Sequence, residues 1–535
     1  MQSAKLRHSV IFLALLALAF ATQVQAQTYT DLFDLDGTSH GCCPINPAAI
    51  AQGRDGNVYG TTISGGANGR GNIFKSTPTG TITILHDFNT TDGSSPQGGL
   101  TLGADGNFYG STTFGGSHSA GTLFKVTPSG TFTTIYNFTN GADAGFPHAS
   151  PIFGTDGKLY GVSGTGSNGL VYRSTTAGVL TPLAPLGIQC DSPLVPGTDG
   201  KFYGITNLGG ANSRGQVFSV TTAGIVKTVF SFNDPTGALP FGPLLQAPDG
   251  NLYGTASVGG TNGGGVVYKL TLAGVYTVLH NFDNVNRVNG FTPTTGVVEG
   301  SDGFLYGVTS VGGSNLGGTI FQVKTDGTGF AIVHNFDTTH GSGPDSMITL
   351  HTSGKIFGLT NSGGSHNDGV LYSFANNLKS FVQPVTLQSA KVGAAVGLLG
   401  QNFSTATQVL FGAGAGTFTA TGNTFITAKP VEGATTGFIT VKEPGGDQLT
   451  TKKFKIAPGI ISFSPTSGAV GTSVTITGTT LTGATSVKFN GKAATFTVGS
   501  DTNITTSVPG GATTGKISVT TPGGSASSTT DFTVN

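Results

Sequence analysis

The stretch Gly103–Lys125, GADGNFYGSTTFGGSHSAGTLFK, decides the fold, because close relatives of it recur along the first three quarters of the chain. Each copy opens on a turn-forming Asp-Gly pair, and an aromatic residue followed by glycine comes four residues after the Asp. The pairs begin at Asp55, Asp105, Asp156, Asp199, Asp249 and Asp302, and the seventh copy has Ser353 in this place. The intervals run from 43 to 53 residues, and such a period is typical of a repeat architecture.

The second copy predicts four antiparallel strands. Gly99–Ala104 is a short apolar-rich strand and Asn107–Thr113 is the return strand, and we expect both residues of Asp105-Gly106 between them to adopt the positive φ of a tight hairpin turn. Thr122–Thr127 and Thr131–Phe138 follow after a glycine-rich loop, again separated by a short turn. We expect the Tyr109-Gly110 pair on the second strand to let a ring pack where a neighbouring backbone comes close.

Seven copies of a four-stranded unit predict an all-β fold, a seven-bladed β-propeller over residues 27–380. The seventh copy ends near Leu378 without a fourth strand, while Thr28–Asp36 resembles a fourth strand and precedes the first copy. We therefore expect the N-terminal strand to complete the last blade and close the ring. A parallel β-helix is the alternative, but it usually has a shorter period and no such wrap-around fragment.

The unit DGNxYGTTxxGG…GTxFKxTPxG resembles the GloVer-type tandem repeat, named for Gloeobacter and Verrucomicrobia, of bacterial surface or secreted proteins. The resemblance covers roughly Gln27–Lys379. It implies export and often a surface anchor, and it supplies no established activity or catalytic residues.

The last quarter of the chain predicts two Ig-like β-sandwiches, at residues 381–456 and 457–535, from short alternating strands between turn signals. The second contains SPTSGAVGTSVTITGTTL and closely resembles an IPT/TIG domain, whereas the first matches more loosely because its opening lacks the SPTSG turn. Such domains usually act as spacers or protein contacts.

The N-terminus and the composition indicate export and exclude two classes of partner. Lys5 and Arg7 precede the apolar run Val10–Ala21, and small residues follow up to Ala26, which predicts a signal peptide over residues 1–26. We expect a secreted or cell-surface protein without a membrane span in the mature chain. With 25 basic and 25 acidic residues, the chain has no electrostatic footprint for nucleic acid or for an anionic membrane.

Three cysteines, Cys42, Cys43 and Cys190, leave at least one thiol unpaired or intermolecular in an exported chain. Their pairing stays open at this point. A disulfide framework is not what stabilises this fold.

The candidate ligand-binding residues lie on the loops after the Gly-Gly pairs, because long loops on a rigid scaffold commonly carry binding sites. Comparable loop positions are held by Asn68, His118, Asn168, Asn212, Asn262, Asn315 and His366. A ring of amides and imidazoles is able to hydrogen-bond a glycan or a peptide. The alternative is that each side chain caps its own loop.

No catalytic residue, metal site or cofactor is predicted. His118 and His366 lack further convergent ligands for zinc, and no glutamate pair is available in the repeats, although an Asp pair remains possible. A further repeat position is shared by His86, His280 and His334 with Tyr136, Phe230 and Phe33. A position that alternates between His and aromatic residues indicates packing.

The sequence thus favours a secreted or cell-surface, non-catalytic binding or adhesion protein that recognises glycan or protein through the long-loop face. One alternative is an extracellular polysaccharide hydrolase or lyase, and another is a purely structural envelope protein. The third copy is shortened to a 43-residue spacing, which marks either a pocket or decay of the repeat.

Overall fold

The computed structural model describes residues 27–44, 50–386 and 388–535, so the predicted signal peptide lies outside the described residues. In this part of the chain the helices are three single turns of 3-10 helix, Asp234–Thr236, Arg287–Asn289 and Phe403–Thr405. All other elements are strands, and the predicted all-β class is confirmed.

Seven four-stranded antiparallel sheets, here called blades 1 to 7, occupy the described residues from Thr28 to Ala375. The first strands are Ala51–Gln52, Thr101–Leu102, Ile152–Phe153, Val195–Pro196, Leu245–Gln246, Val298–Glu299 and Thr349–Leu350. The second strands are Val58–Thr62, Phe108–Thr112, Leu159–Ser163, Phe202–Thr206, Leu252–Ala256, Phe304–Thr309 and Lys355–Leu359. The third strands are Asn72–Ser76, Thr122–Val126, Leu170–Ser174, Gln216–Val220, Gly263–Leu270, Thr319–Lys324 and Val370–Ala375. The fourth strands are Ile82–Asp87, Phe132–Asn137, Leu180–Pro185, Val226–Ser231, Tyr276–Asp283, Ala331–Asn335 and, in blade 7, Thr28–Asp34.

The N-terminal strand closes the ring, as predicted. Thr28–Asp34 pairs antiparallel with Val370–Ala375, with Thr28 opposite Ala375 and Asp34 opposite Val370. At the same junction the backbone N–H of Cys43 donates to the carbonyl of Asp368 at 3.3 Å. Blade 7 is therefore built from both ends of the repeat region.

The recurring Asp and Tyr form one hydrogen-bonded unit in each of the first six blades. The Tyr hydroxyl donates to Oδ2 of the Asp four residues earlier at 2.6–3.0 Å. In blade 2 the other carboxylate oxygen, Oδ1 of Asp105, accepts the N–H of Asn107 at 3.1 Å. Only Gly106 has a positive φ, 87°, so the expectation that both residues of the pair adopt positive φ is wrong. Asp105 serves instead as the hydrogen-bond acceptor of the turn.

The glycine after each Tyr is required by a ring from the third strand. A Cβ atom on Gly110 would lie 2.4 Å from Cζ of Phe124, far inside van der Waals contact. The two residues face each other in the strand register. This confirms the expected packing of a ring on bare backbone, and it explains why an aromatic residue recurs on the third strand.

A left-handed residue before a proline joins six of the seven blades to the previous one. Ser95 has φ 54°; its N–H donates to Arg70 of blade 1 at 3.0 Å, and its carbonyl accepts from Thr113 of blade 2 at 3.1 Å. A left-handed non-glycine residue costs about 1–2 kcal/mol, and these two hydrogen bonds offset that cost. The same conformation recurs at Cys43, Phe146, Leu239, Thr292 and Gly343.

Stacked rings join the outer strands of neighbouring blades. His280 stacks on Phe330 with ring centroids 3.4 Å apart, and Phe230 stacks on Tyr276 at 4.2 Å. His86 stacks on Phe132 and His334 on Tyr29 in the same way. The packing role predicted for this repeat position is confirmed.

Two β-sandwiches follow the blades. The first has the strands Gln383–Pro384, Ser389–Lys391, Val396–Leu399, Gln408–Phe411, Gly414–Ala420, Phe425–Pro430, Ile439–Lys442, Gln448–Leu449 and Lys455–Ala457. The second has Gly459–Ser464, Ser467–Gly468, Ser473–Thr479, Ser486–Phe489, Lys492–Ala494, Phe496–Ser500, Asn503–Ser507, Gly515–Thr521 and Gly524–Val534. Each has its own apolar core.

The first sandwich is docked on the ring. Thr424 Oγ1 donates to the carbonyl of Arg54 at 2.7 Å, and the Arg54 guanidinium lies 4.3 Å from the ring centroid of Phe425. Thr352 Oγ1 donates to the carbonyl of Gly400 at 3.2 Å. These contacts lie at the Asp-Gly turn of blade 1 and the corresponding Ser-Gly turn of blade 7, so the sandwich covers part of that end of the ring.

Candidate functional site

The ring has two unlike ends. The turns between first and second strands and between third and fourth strands share one end, here the tight-turn face, which contacts the first sandwich. The loops between second and third strands and the linkers between blades share the other end, here the long-loop face. A site for a ligand from outside is therefore sought on the long-loop face.

The seven loop residues singled out from the sequence are all exposed on the long-loop face. Asn212 Nδ2 donates to the carbonyl of Phe232 at 2.9 Å, and Asn68 donates to the carbonyl of Asp87 at 3.4 Å. The Nδ1 atoms of His118 and His366 bond to the hydroxyl of the preceding serine. The structure records no hydrogen bond from one of these seven side chains to another among the described residues. At least four of them contact their own loop or blade.

A second set of side chains lies at the ring axis. The first strands surround the axis, because those of five blades line one central cavity of about 340 Å³. In each linker, the residue four positions before the start of the first strand lies where the linker reaches the axis. We call this the axial position; in blades 2 to 7 it is held by Gln97, His148, Asp191, Phe241, Thr294 and Asp345.

Axial side chains from three consecutive blades contact one another. His148 Nδ1 lies 2.9 Å from Oε1 of Gln97 and 3.9 Å from Oδ1 of Asp191. Asp191 also accepts hydrogen bonds from the amides of Gln189, at 2.7 Å, and Asn207, at 3.1 Å. The carboxylate is thus held in a fixed orientation beside the imidazole.

His148 has an unpaired acceptor atom buried in this cluster. Burial lowers the pKa of its imidazole, which keeps the ring neutral at pH 7. Because Oε1 of Gln97 only accepts hydrogen bonds, Nδ1 carries the proton. The lone pair is then on Nε2, a buried atom with no hydrogen-bond partner among the described residues.

A second axial cluster lies on blades 6 and 7. Thr294 Oγ1 donates to Oδ1 of Asp345 at 3.0 Å, and Asn361 Nδ2 donates to Oδ2 at 2.7 Å. Ser310 also donates to Asp345. Burial raises the pKa of the Asp345 carboxyl. Both axial carboxylates are therefore oriented by amide or hydroxyl donors from their own and neighbouring blades.

Exposed apolar residues flank the axial clusters. Leu208 and Val311 follow Asn207 and Ser310 directly in the chain, and they are 51% and 37% exposed. Phe114 is 46% exposed, and its ring contacts Phe146 edge-on. Exposed apolar side chains therefore lie beside the polar axial groups. We call the two axial clusters, together with Phe114, Leu208 and Val311, the axial mouth.

The shortened blade 3 opens two clefts on this face, each of about 330 Å³. One is lined by Asn140, Ser167, Asn168 and Pro185, so one residue of the predicted set, Asn168, lines a cleft. The other is lined by Gln189, Asn207 and Leu208, the residues that hold or flank Asp191. The irregular spacing of this blade marks a depression in the surface.

Sequence reasoning did not identify the axial residues. A signal was present, because a proline stands directly before the axial position in five blades, at Pro96, Pro147, Pro240, Pro293 and Pro344. The residue after that proline changes from blade to blade, in contrast to the repeated turns. A residue that varies between blades directly after a constant proline therefore indicates the axial position.

None of the three cysteines supplies a thiolate to the axial clusters. Cys42 and Cys43 form a disulfide with each other, and their sulfur atoms lie near the Asp368 carboxylate. Cys190 is buried, its thiol donates to the carbonyl of Ile205 at 3.0 Å, and burial raises the pKa of the thiol to about 12. It precedes the axial Asp191 and is packed in the core.

Family models match both parts of the chain. Two overlapping copies of the Gloeobacter/Verrucomicrobia repeat model match residues 18–169 and 152–298. The chain belongs to the Gloeobacter/Verrucomicrobia repeat family. An IPT/TIG domain model matches residues 458–534 of this Gloeobacter/Verrucomicrobia repeat protein. No curated protein matches it, and no helix within residues 27–44, 50–386 and 388–535 is long and apolar enough to cross a membrane.

Several solved structures are similar to this Gloeobacter/Verrucomicrobia repeat protein at low identity. A fungal alcohol oxidase of the AA5 family, in complex with copper, is 14% identical with a TM-score of 0.43, over 96% of this chain and 100% of the oxidase. A gluconolactonase from Xanthomonas campestris is 12% identical with a TM-score of 0.34, over 64% of this chain and 98% of that enzyme. A surface glycan-binding protein from Prevotella bryantii is 20% identical with a TM-score of 0.22, over 28% of this chain and 41% of that protein. Likenesses of this size carry no information about the activity of this chain.

Proposed function

We propose that this protein is a secreted or cell-surface, non-catalytic binding protein that recognises a glycan at the axial mouth of the long-loop face. One observation carries the proposal: polar side chains from five blades, Gln97, His148, Asp191, Thr294 and Asp345, form two oriented clusters around the axis. Convergent polar groups with fixed orientation are what a specific binding site needs.

The chemistry of the axial mouth suits a sugar. Hydroxyl groups of a sugar both donate and accept, and the mouth offers carboxylate oxygens, hydroxyl groups and amides in one place. The C–H faces of a sugar ring are apolar and pack on exposed apolar side chains such as Phe114 and Leu208, which are about half exposed. A site with both kinds of surface fits a carbohydrate better than a wholly apolar ligand.

A glycan array probed with the mature chain, residues 27–535, tests the proposal, followed by calorimetric titration of the best ligand. We expect Asp191→Ala to weaken binding at least about tenfold, the loss of one good hydrogen bond to a ligand. Lys227→Ala, at an exposed position of a fourth strand near the tight-turn face, is the matched control and should leave affinity unchanged. Absence of binding to every glycan on the array overturns the proposal.

Secretion is part of the proposal and rests on the pattern of residues 1–26. The strand that closes blade 7 begins at Thr28, directly after the expected cleavage point. Mass spectrometry of the protein recovered outside the cell should give Gln27 as the first residue. Recovery of the uncleaved chain inside the cell contradicts this part.

An extracellular polysaccharide hydrolase or lyase is the second candidate function. Two axial carboxyl groups, Asp191 and Asp345, are present in different surroundings, and the raised pKa of Asp345 is a property of general acids in glycoside cleavage. This candidate predicts reducing-end release from a bound polysaccharide and its loss in Asp345→Asn. Binding without product release excludes it.

A further inference from the structure

The long-loop face of the ring carries a net negative charge that the rest of the ring does not share. On the long-loop face the strand ends, loops and linkers carry eleven carboxylates against three guanidinium groups. The carboxylates are Asp34, Asp36, Asp87, Asp92, Asp143, Asp191, Asp234, Asp283, Asp337, Asp345 and Asp368, and the guanidinium groups are Arg70, Arg214 and Arg287. The rest of the ring, up to Lys379, carries nine carboxylates and eleven basic groups. The neutral composition of the chain conceals this division.

Basic side chains neutralise little of the acidic charge. Among the described residues of the long-loop face, one Arg–Asp ion pair is recorded, between Arg214 and Asp234 at 2.9 Å, and histidines lie beside Asp36, Asp92, Asp191 and Asp337. The imidazole of His148 beside Asp191 is kept neutral by burial, which lowers its pKa. The field of several unpaired like charges adds up over a face of this size.

The axial mouth is also rich in acceptors. The carboxylate oxygens of Asp191 and Asp345 accept hydrogen bonds, and Oε1 of Gln97 is a further acceptor beside His148. A ligand that brings N–H or O–H donors satisfies such a site, whereas an acidic ligand adds acceptors and like charge. Repulsion between like charges is the usual means by which a surface rejects a partner.

We propose that the ligand is a cationic glycan, a chain of amino sugars with free ammonium groups, and that acidic polysaccharides are rejected. This inference rests on the proposed function, since it names the class of glycan that binds at the axial mouth. The ammonium groups donate to Asp191 and Asp345, while the sugar faces pack on the exposed apolar residues around the mouth.

Three hexasaccharides of equal length test the proposal on the mature chain: N-acetylglucosamine, glucosamine and galacturonic acid, titrated by calorimetry at pH 6. We expect the glucosamine hexamer to bind at least about tenfold tighter than the acetylated one at low salt, and the difference to shrink in 0.5 M NaCl as charges are screened. No binding of the galacturonate is expected. Equal or tighter binding of the neutral or acidic hexamer overturns the cationic preference and leaves the proposed function standing.

Two further arms keep the test specific. Asp191→Asn and Asp345→Asn should each remove most of the glucosamine preference, whereas Asp326→Asn, at an exposed turn of the tight-turn face, should not. Unchanged melting temperatures show that the variants are folded. A hexalysine peptide serves as a polycation without sugar rings; binding as tight as that of the glucosamine hexamer overturns the glycan assignment.

Discussion

The tight-turn face and the long-loop face of the ring are made by the same repeat, but the residues recur from blade to blade on the first face and change from blade to blade at the axial position of the second. At the tight turns the same Asp–Tyr hydrogen bond recurs from blade to blade at 2.6–3.0 Å, and the first sandwich covers part of this end. At the axial position of the long-loop face the residue changes in nearly every blade, from Gln97 to Asp345. Repetition marks the groups that hold the ring together, and variation marks the groups that are free to serve a ligand.

The largest expected effect comes from removing a repeated ring. Tyr253 is fully buried between blades 5 and 6, and Tyr253→Ala should lower the free energy of unfolding by about 3–5 kcal/mol, as for other large aromatic deletions. Urea unfolding followed by circular dichroism measures it. A loss below 1 kcal/mol would show that the repeated residues are not what stabilises the blades.

Removing only the hydroxyl should have a smaller effect. Tyr253 donates to Asp249 at 2.6 Å, and Tyr253→Phe should cost about 1 kcal/mol, the usual net value of one hydrogen bond. Blade 7 is a natural control, since it carries Phe357 and Ser353 in these places. Phe357→Tyr should therefore give no gain in stability, and a gain would contradict the role assigned to the Asp.

The stacked histidines predict a dependence of stability on pH. Burial lowers the pKa of His280 to about 4, below its ordinary value near 6.5. A depressed histidine pKa means that the unfolded chain binds the proton first, so stability is full above pH 6.5 and falls as the pH drops towards 4. His280→Phe keeps the stack, as Phe230 does in blade 4, and should reduce the drop in melting temperature between pH 7 and pH 5 by about 1–2 °C. An unchanged drop would assign the acid sensitivity to other groups.

The smallest effect on stability is expected on the long-loop face. Phe114 is 46% exposed, and Phe114→Ala should change the free energy of unfolding by no more than about 0.5 kcal/mol, as is usual at the surface. The same variant should weaken glycan binding in the titration described above. A large loss of stability without a loss of binding would reverse the comparison between the two faces.

The repeat scaffold was predictable from the sequence because its signals are local. Asp105-Gly106, Tyr109-Gly110 and Phe124 lie within one copy, and each pattern has a direct steric or hydrogen-bonding cause. Closure by the N-terminal strand was also predictable, since a strand was missing at one end of the repeats and present at the other.

The axial clusters were not predictable in the same way. Gln97, His148 and Asp191 lie about one repeat apart in the chain, and only the curvature of the ring brings them into contact. The negative charge of the long-loop face was not predictable for a similar reason. The net charge is a sum over the whole molecule, whereas a ligand contacts only one face. The seven loop residues were proposed because long loops on a rigid scaffold commonly carry binding sites, and the side chains of at least four of them bond to their own loop or blade.

The strand Thr28–Asp34, which pairs with Val370–Ala375, also sets the order of events during synthesis. It is among the first segments of the ring to be made, and its partner is made more than three hundred residues later, after roughly 20 to 70 s at ordinary translation rates. Throughout that interval one edge of the incomplete ring is unpaired, and exposed strand edges are prone to association. A nascent chain that stalls in the sixth or seventh repeat therefore has an open edge that a chaperone or protease can recognise, so the completed ring is itself the signal that the seventh repeat has been made.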